Sequence, residues 1–132
     1  MGSRAAKGKP SVRRAGGPIE VFDNPHPGRD YEIAISFPEF TSLCPKTGNP
    51  DFGEIRVTYF PDKLCIELKS FKLYLHGYRN EGVFYEKAVN GILDDLVASC
   101  RPRRMTIAGD FNARGGMKTL VTVSYDKTKD RG

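Results

Sequence analysis

The chain has 132 residues, enough for one ordinary domain, and no run approaches the ~18 consecutive apolar residues that span a bilayer. Its net charge of +5 has a single source, because residues 1–17 hold Arg4, Lys7, Lys9, Arg13 and Arg14 and no acid, while the remaining basic residues match the 16 acids. A neutral folded part excludes a nucleic-acid footprint spread over its surface, and the Gly-, Ala-, Pro- and Ser-rich start reads as a disordered basic tail.

A single domain is expected over residues 18–132. It opens on an irregular stretch with Pro18, Pro25, Pro27 and Gly28. Tyr31, Ile33, Ile35 and Phe37 then alternate with Glu32, Ala34 and Ser36, which predicts a half-buried strand. Residues 38–51, with Pro38, Pro45, Gly48 and Pro50, predict a long loop. A second strand follows, with Ile55, Val57 and Tyr59 on one face and Glu54, Arg56 and Thr58 on the other. Residues 63–78 read as extended and then as a short helix. Over residues 83–100, Val89, Ile92, Leu93, Leu96, Val97 and Cys100 recur at helical spacing, with Asp94 and Asp95 expected to face away. Arg101-Pro102 ends that helix. Met105, Ile107, Gly109 and Phe111 alternate with polar neighbours as a strand, Arg114-Gly115-Gly116 reads as a turn, and residues 120–125 as a last strand. This order predicts an α+β domain, ββααββ, with two helices on one face of an antiparallel sheet. The two sheet edges invite pairing with neighbouring subunits.

Three widely spaced cysteines and two histidines argue against a disulfide framework and a structural zinc site. Without an apolar secretory segment at the start, a cytoplasmic location is expected. Cys44 stands out because it lies in a polar loop with Asp51 seven residues on, a carboxylate able to move a proton for a thiol. Cys65 and Cys100 sit in apolar surroundings and read as buried hydrophobes. Lys69 and Lys72, three apart, with Ser70 between them, present a basic face that suits a phosphate as well as it suits water. Glu86 falls in the first turn of the long helix, where an acid is favoured by the dipole and could also receive two parallel N–H donors from a guanine-like edge.

Glu67-Leu68-Lys69-Ser70-Phe71-Lys72-Leu73-Tyr74 resembles, at all eight positions, the signature of the NADPH-dependent 7-cyano-7-deazaguanine reductases, the QueF-type nitrile reductases of queuosine biosynthesis. The stretch Phe40-Thr41-Ser42-Leu43-Cys44-Pro45-Lys46-Thr47-Gly48-Asn49-Pro50-Asp51-Phe52 resembles that family's nucleophile loop. Phe84-Tyr85-Glu86 and Arg114-Gly115-Gly116 follow in the family's order, so the likeness runs collinearly over about residues 30–118. The length resembles the short, single-domain subfamily.

The resemblance implies a tunnelling fold (T-fold), whose sheets join edge to edge in an oligomeric barrel with sites at subunit interfaces. It implies Cys44 as nucleophile, Asp51 as general acid/base, and Glu86 with Tyr85 for the base. Glu67, Lys69, Ser70, Lys72, Arg114 and Gly115 are implied for NADPH, and no metal is implied. The implied substrate is the free base 7-cyano-7-deazaguanine, so no direct contact with tRNA is expected. One departure is visible: Tyr85 stands where the family often has histidine. No Gly-x-Gly-x-x-Gly joins a strand to a helix, so a Rossmann site is not expected. Two other readings remain open at this point, a zinc-dependent GTP cyclohydrolase-like enzyme of the same fold class and a non-catalytic basic binding module.

Overall fold

Alternating apolar residues on four long strands build one dry sheet face, and two helices cover it. The structure, a computed structural model, describes residues 16–129. All but the last two residues of the expected basic tail lie outside that range. In chain order the elements are β1 (Val21–Asp23), β2 (Ile33–Leu43), β3 (Pro50–Phe60), β4 (Leu64–Ile66), α1 (Leu68–His76), α2 (Tyr85–Cys100), β5 (Arg104–Arg114) and β6 (Met117–Asp126). The long strands form an antiparallel sheet in the order β2-β3-β5-β6, and β1 pairs with β4 in a small separate sheet. Ile55, Val57 and Tyr59 of β3 and Met105, Ile107 and Phe111 of β5 are buried in one core with Phe71, Tyr74, Ile92 and Leu96 of the helices. On the opposite face Arg56 pairs with Glu54 and Asp110, leaving that side wet. The expected α+β order is present, β4 being the extended start expected of residues 63–78, and only β1 is added. Three residues are too few to show alternation.

Two local expectations are corrected. The long loop over residues 38–51 is mostly strand, for β2 runs to Leu43 and β3 starts at Pro50. Pro38 is tolerated because β2 is an edge strand and its register slips between Phe37 and Phe40, a bulge that needs no ladder N–H there. The true turn is six residues, closed by bonds from the Cys44 N–H to the Asn49 carbonyl and from the Gly48 N–H to the Cys44 carbonyl, both 2.8 Å. Asp95, expected to face away with Asp94, is instead 2% exposed. It accepts a hydrogen bond from the Tyr74 hydroxyl, so this buried carboxylate ties α2 to α1.

Helix α1 starts on Glu67, whose carboxylate accepts from the backbone N–H groups of Ser70 and Lys69 at 2.7 and 3.1 Å. Helix α2 ends on Arg101 in the left-handed region, φ 46°, just before Pro102. Between the helices, Glu81 accepts from the Leu43 N–H and the Leu43 carbonyl accepts from the Val83 N–H, at 3.0 and 3.1 Å. That short parallel bridge ties the start of α2 to the end of β2.

Under the start of α2 lies Phe111, wholly buried, with its ring against Phe40 and Tyr85. Two glycines leave room for it. A Cβ on Gly109 would fall 2.6 Å from a Val89 methyl and 2.8 Å from the Phe111 ring, and one on Gly53 would fall 2.8 Å from that ring. Gly109→Ala should therefore cost about 1–3 kcal/mol by overpacking. Gly28→Ala, where a Cβ meets nothing within 4 Å, should change stability little. Urea denaturation followed by circular dichroism checks both, and equal stabilities would mean the slot adapts freely.

Candidate active site

Each candidate side chain near Cys44 hangs from a different element, and the packing above brings those elements together. Cys44 opens the turn after β2 and is partly exposed. Asp51, the second residue of β3, is 4% exposed and lies opposite Ser42 in the β2–β3 ladder. Arg114 ends β5 at a hairpin whose two linking residues, Gly115 and Gly116, have φ of 58° and 84°. Positive φ at both positions suits a tight hairpin turn and explains the two glycines. Tyr85 and Glu86 begin α2. All five line one cleft of about 440 Å³, with Phe84, Met117 and Thr119 at its margin. That volume lies within the range usual for small-molecule sites.

The geometry is tightly specified around Arg114. Its Nη1 donates to the Asp51 carboxylate at 2.6 Å, and the guanidinium also reaches the Cys44 sulfur and the Tyr85 hydroxyl. Contact with Arg114, then the hydroxyl and amide of Thr47 and the amide of Lys46, lowers the Cys44 thiol to about 6. Its resting form at neutral pH is thus the thiolate. The Tyr85 ring stacks flat on Phe111, centroids 3.8 Å apart and planes 6° apart. Burial, then the charge of Asp51, raises the Tyr85 hydroxyl above its ordinary value, so it stays a donor. Glu86 is exposed, and among the described residues its carboxylate is bonded to nothing. Cys65 and Cys100 are buried as expected, and burial pushes Cys100 to about 12.

The structure does not bring the other expected cofactor residues to this cleft. Glu67, Lys69 and Ser70 line a separate cleft of about 350 Å³ with Pro18 and Glu20. The Ser70 hydroxyl accepts from the Glu20 N–H at 2.8 Å and donates to the Glu67 carbonyl at 2.9 Å, while the Glu67 carboxylate caps α1. Both have structural tasks that the motif did not reveal. Lys69 and Lys72 are exposed on α1, and among the described residues neither ammonium is in an ion pair. Sequence reasoning also missed Thr47, Phe84 and Phe111. Thr47 could have been noticed as the one hydroxyl within the turn, whereas nothing local marks Phe111 as the platform for Tyr85.

The fold is that of a T-fold protein with a thiolate-bearing cleft, and comparison with known proteins narrows the class. A solved archaeosine synthase QueF-Like in the apo form superposes with a TM-score of 0.68 at 19% identity, covering 73% of this chain and 93% of that one. That likeness speaks for the fold. The model of the family described as QueF-like protein matches residues 50–130. The NADPH-dependent 7-cyano-7-deazaguanine reductase of Chlorobaculum tepidum is 63% identical over 85% of this chain and 96% of its own length. The protein of that name from Thermomicrobium roseum is 54% identical over 85% of this chain and 88% of its own. The chain belongs to the QueF-like family of NADPH-dependent 7-cyano-7-deazaguanine reductases. Membership favours the reductase reading over a zinc-dependent cyclohydrolase and over a basic binding module.

Iodoacetamide at pH 7 should place one group on the native protein, at Cys44, with Cys65 and Cys100 modified only after unfolding. Intact mass and peptide mapping check this. Labelling of either buried cysteine in the native state would contradict the burial assigned to it.

Proposed function

We propose that the chain reduces the nitrile of 7-cyano-7-deazaguanine to the aminomethyl group of 7-aminomethyl-7-deazaguanine with NADPH, a step of tRNA queuosine biosynthesis. The observation that carries the reading is Cys44, held as a thiolate beside Asp51 in a base-sized cleft that also presents the Glu86 carboxylate. Glu86 receives the N–H and NH₂ edge of the base, because a carboxylate accepts two parallel donors. The Cys44 sulfur adds to the nitrile carbon as Asp51 delivers a proton to the nitrogen, and a thioimide forms on the enzyme. NADPH supplies the hydride, and since nitrile to amine takes four electrons, two molecules are used in turn. After the first reduction the carbon–sulfur bond breaks, Cys44 leaves as thiolate, and the base remains as an imine for the second reduction. Tyr85, protonated and stacked, orients Asp51 and Arg114.

The residues offered to NADPH fit it in part. Lys69 and Lys72 present unpaired ammonium groups suited to phosphates, with Arg114 and Gly115 at the mouth of the cleft. Glu67 and Ser70 serve the same site by holding the first turn of α1 in shape. Phe84 and Met117 at the cleft margin are 55% and 76% exposed, and Phe52 and Leu120 are also exposed. Apolar surface beside a site for hydride chemistry calls for a cover, and a second copy of the chain, joined at a sheet edge, supplies it in this reading.

Incubation with 7-cyano-7-deazaguanine alone should add the mass of the nitrile to the protein. Cys44→Ala should abolish that adduct and all reduction, while Cys65→Ala retains both. Reduction by Cys44→Ala would end the covalent reading. Glu86→Gln should weaken binding of the base by about 1.5–3 kcal/mol, because one of two donors then faces an amide NH₂. Calorimetric titration measures this, and an unchanged dissociation constant would make Glu86 an ordinary acid of the helix start.

A further inference from the structure

We propose that Arg114 is the counter-ion that creates the Cys44 nucleophile, serving both the sulfur and Asp51 with one guanidinium before any cofactor arrives. The inference rests on the proposed reaction but concerns a residue that the family likeness implies for NADPH. Three observations carry it. First, Arg114 is the only cation among the described residues lining the cleft. The other ionisable groups facing Cys44 there are Asp51 from β3 and Tyr85 and Glu86 from α2, and negative charge on any of them raises a thiol. Secondly, the guanidinium is already committed: Nη1 lies 2.6 Å from the buried Asp51 carboxylate, and the side chain shares the cleft with the Cys44 sulfur and lies within its reach. A planar fork with five N–H donors can serve two acceptors at fixed positions, which an ammonium on a flexible stem does poorly. Thirdly, the Gly115–Gly116 hairpin fixes where β5 ends, so Arg114 is delivered to the cleft by backbone geometry.

The addition step balances with this assignment. Thiolate sulfur bonds the nitrile carbon, one π pair moves to nitrogen, and nitrogen takes a proton that the Asp51 carboxylate relays from water, the hydroxide left behind passing to solvent. The sulfur becomes a neutral thioether-like atom and no longer competes for the guanidinium. Arg114 then has N–H donors released at the mouth of the cleft, at the stage when hydride is needed.

The test uses the full chain without nucleotide. The rate of Cys44 alkylation by iodoacetamide is measured against pH for the native protein, Arg114→Lys and Arg114→Gln, with circular dichroism as the folding check. The native midpoint should lie near 6. In Arg114→Gln it should move to about 8 or above, towards an ordinary thiol. Alkylation at pH 6 should then fall about five- to tenfold, the roughly fiftyfold loss of thiolate being partly offset by the greater nucleophilicity of a more basic sulfur. Arg114→Lys should give an intermediate midpoint, and it keeps the question answerable if the glutamine variant does not fold. Formation of the nitrile adduct at pH 6, again without NADPH, should slow in the same order. Unchanged midpoints and adduct rates, with only the Michaelis constant for NADPH raised, would assign Arg114 to the cofactor alone and overturn the proposal. A native protein that forms no nitrile adduct, yet alkylates with a midpoint near 6 that shifts in Arg114→Gln, would instead sink the reaction while upholding the counter-ion.

Discussion

The packing of one ring, Phe111, holds the site together. It lies in a slot that Gly53 and Gly109 keep open, with Phe40 beside it and Tyr85 stacked on top. Those contacts join β2, β3, β5 and α2, and each of these elements carries a chemical group a few residues away. Cys44 lies four residues after Phe40, Asp51 two before Gly53, Arg114 three after Phe111, and Glu86 next to Tyr85. The site therefore inherits its precision from apolar packing, which is non-directional but dense enough to fix positions. Polar contacts alone would not do this, since an exposed cleft lets water compete for every hydrogen bond.

Once those elements are fixed, the electrostatics of the cleft follow from a shortage of positive charge. A thiol, two carboxylates and a tyrosine share it with one guanidinium. Arg114 is exposed enough for solvent to screen it, so its effect depends on direct contact. The adjoining turn adds to that contact, with Thr47 and the Lys46 amide pointing hydrogen-bond donors at the same sulfur. Backbone donors need no counter-charge and cannot titrate, which makes a tight turn a good place for a thiolate.

Much of this was legible in the sequence. Alternation in the first three long strands and the helical spacing of Val89 to Cys100 reported burial directly, because one face of each element is dry. Cys44 and Asp51 were legible as a pair, and Glu86 as a helix-start acid. What escaped depended on partners far along the chain. Pro38 looked like a strand breaker because nothing local marks β2 as an edge with a bulge. Asp95 looked exposed because its hydrogen-bond donor, Tyr74, is 21 residues away. Glu67 and Ser70 looked like cofactor ligands because a motif does not say that the helix cap and the Glu20 N–H already occupy them. Arg114 was found, but its nearness to Cys44 could not be, since 70 residues separate them and only the β2–β3 and β3–β5 pairings together join their ends of the sheet.

Tyr85 raises the question of how a cleft does without the imidazole that the family resemblance leads one to expect beside Glu86. A histidine there could give two things, a proton that moves near neutral pH and a positive charge when protonated. Tyr85 gives neither, since burial and Asp51 keep its hydroxyl protonated and neutral. The proton can travel through Asp51, which Tyr85 and Arg114 both contact. Arg114 supplies the charge, and a guanidinium stays charged at any pH where the protein is folded. An imidazolium would stabilise the thiolate only while itself protonated, so nucleophile and partner would fade at opposite ends of a narrow pH range. A permanent cation removes one of those limits, leaving the thiol's own titration as the lower bound on nucleophile supply. On this account the tyrosine is affordable because the arginine already holds both the sulfur and the acid.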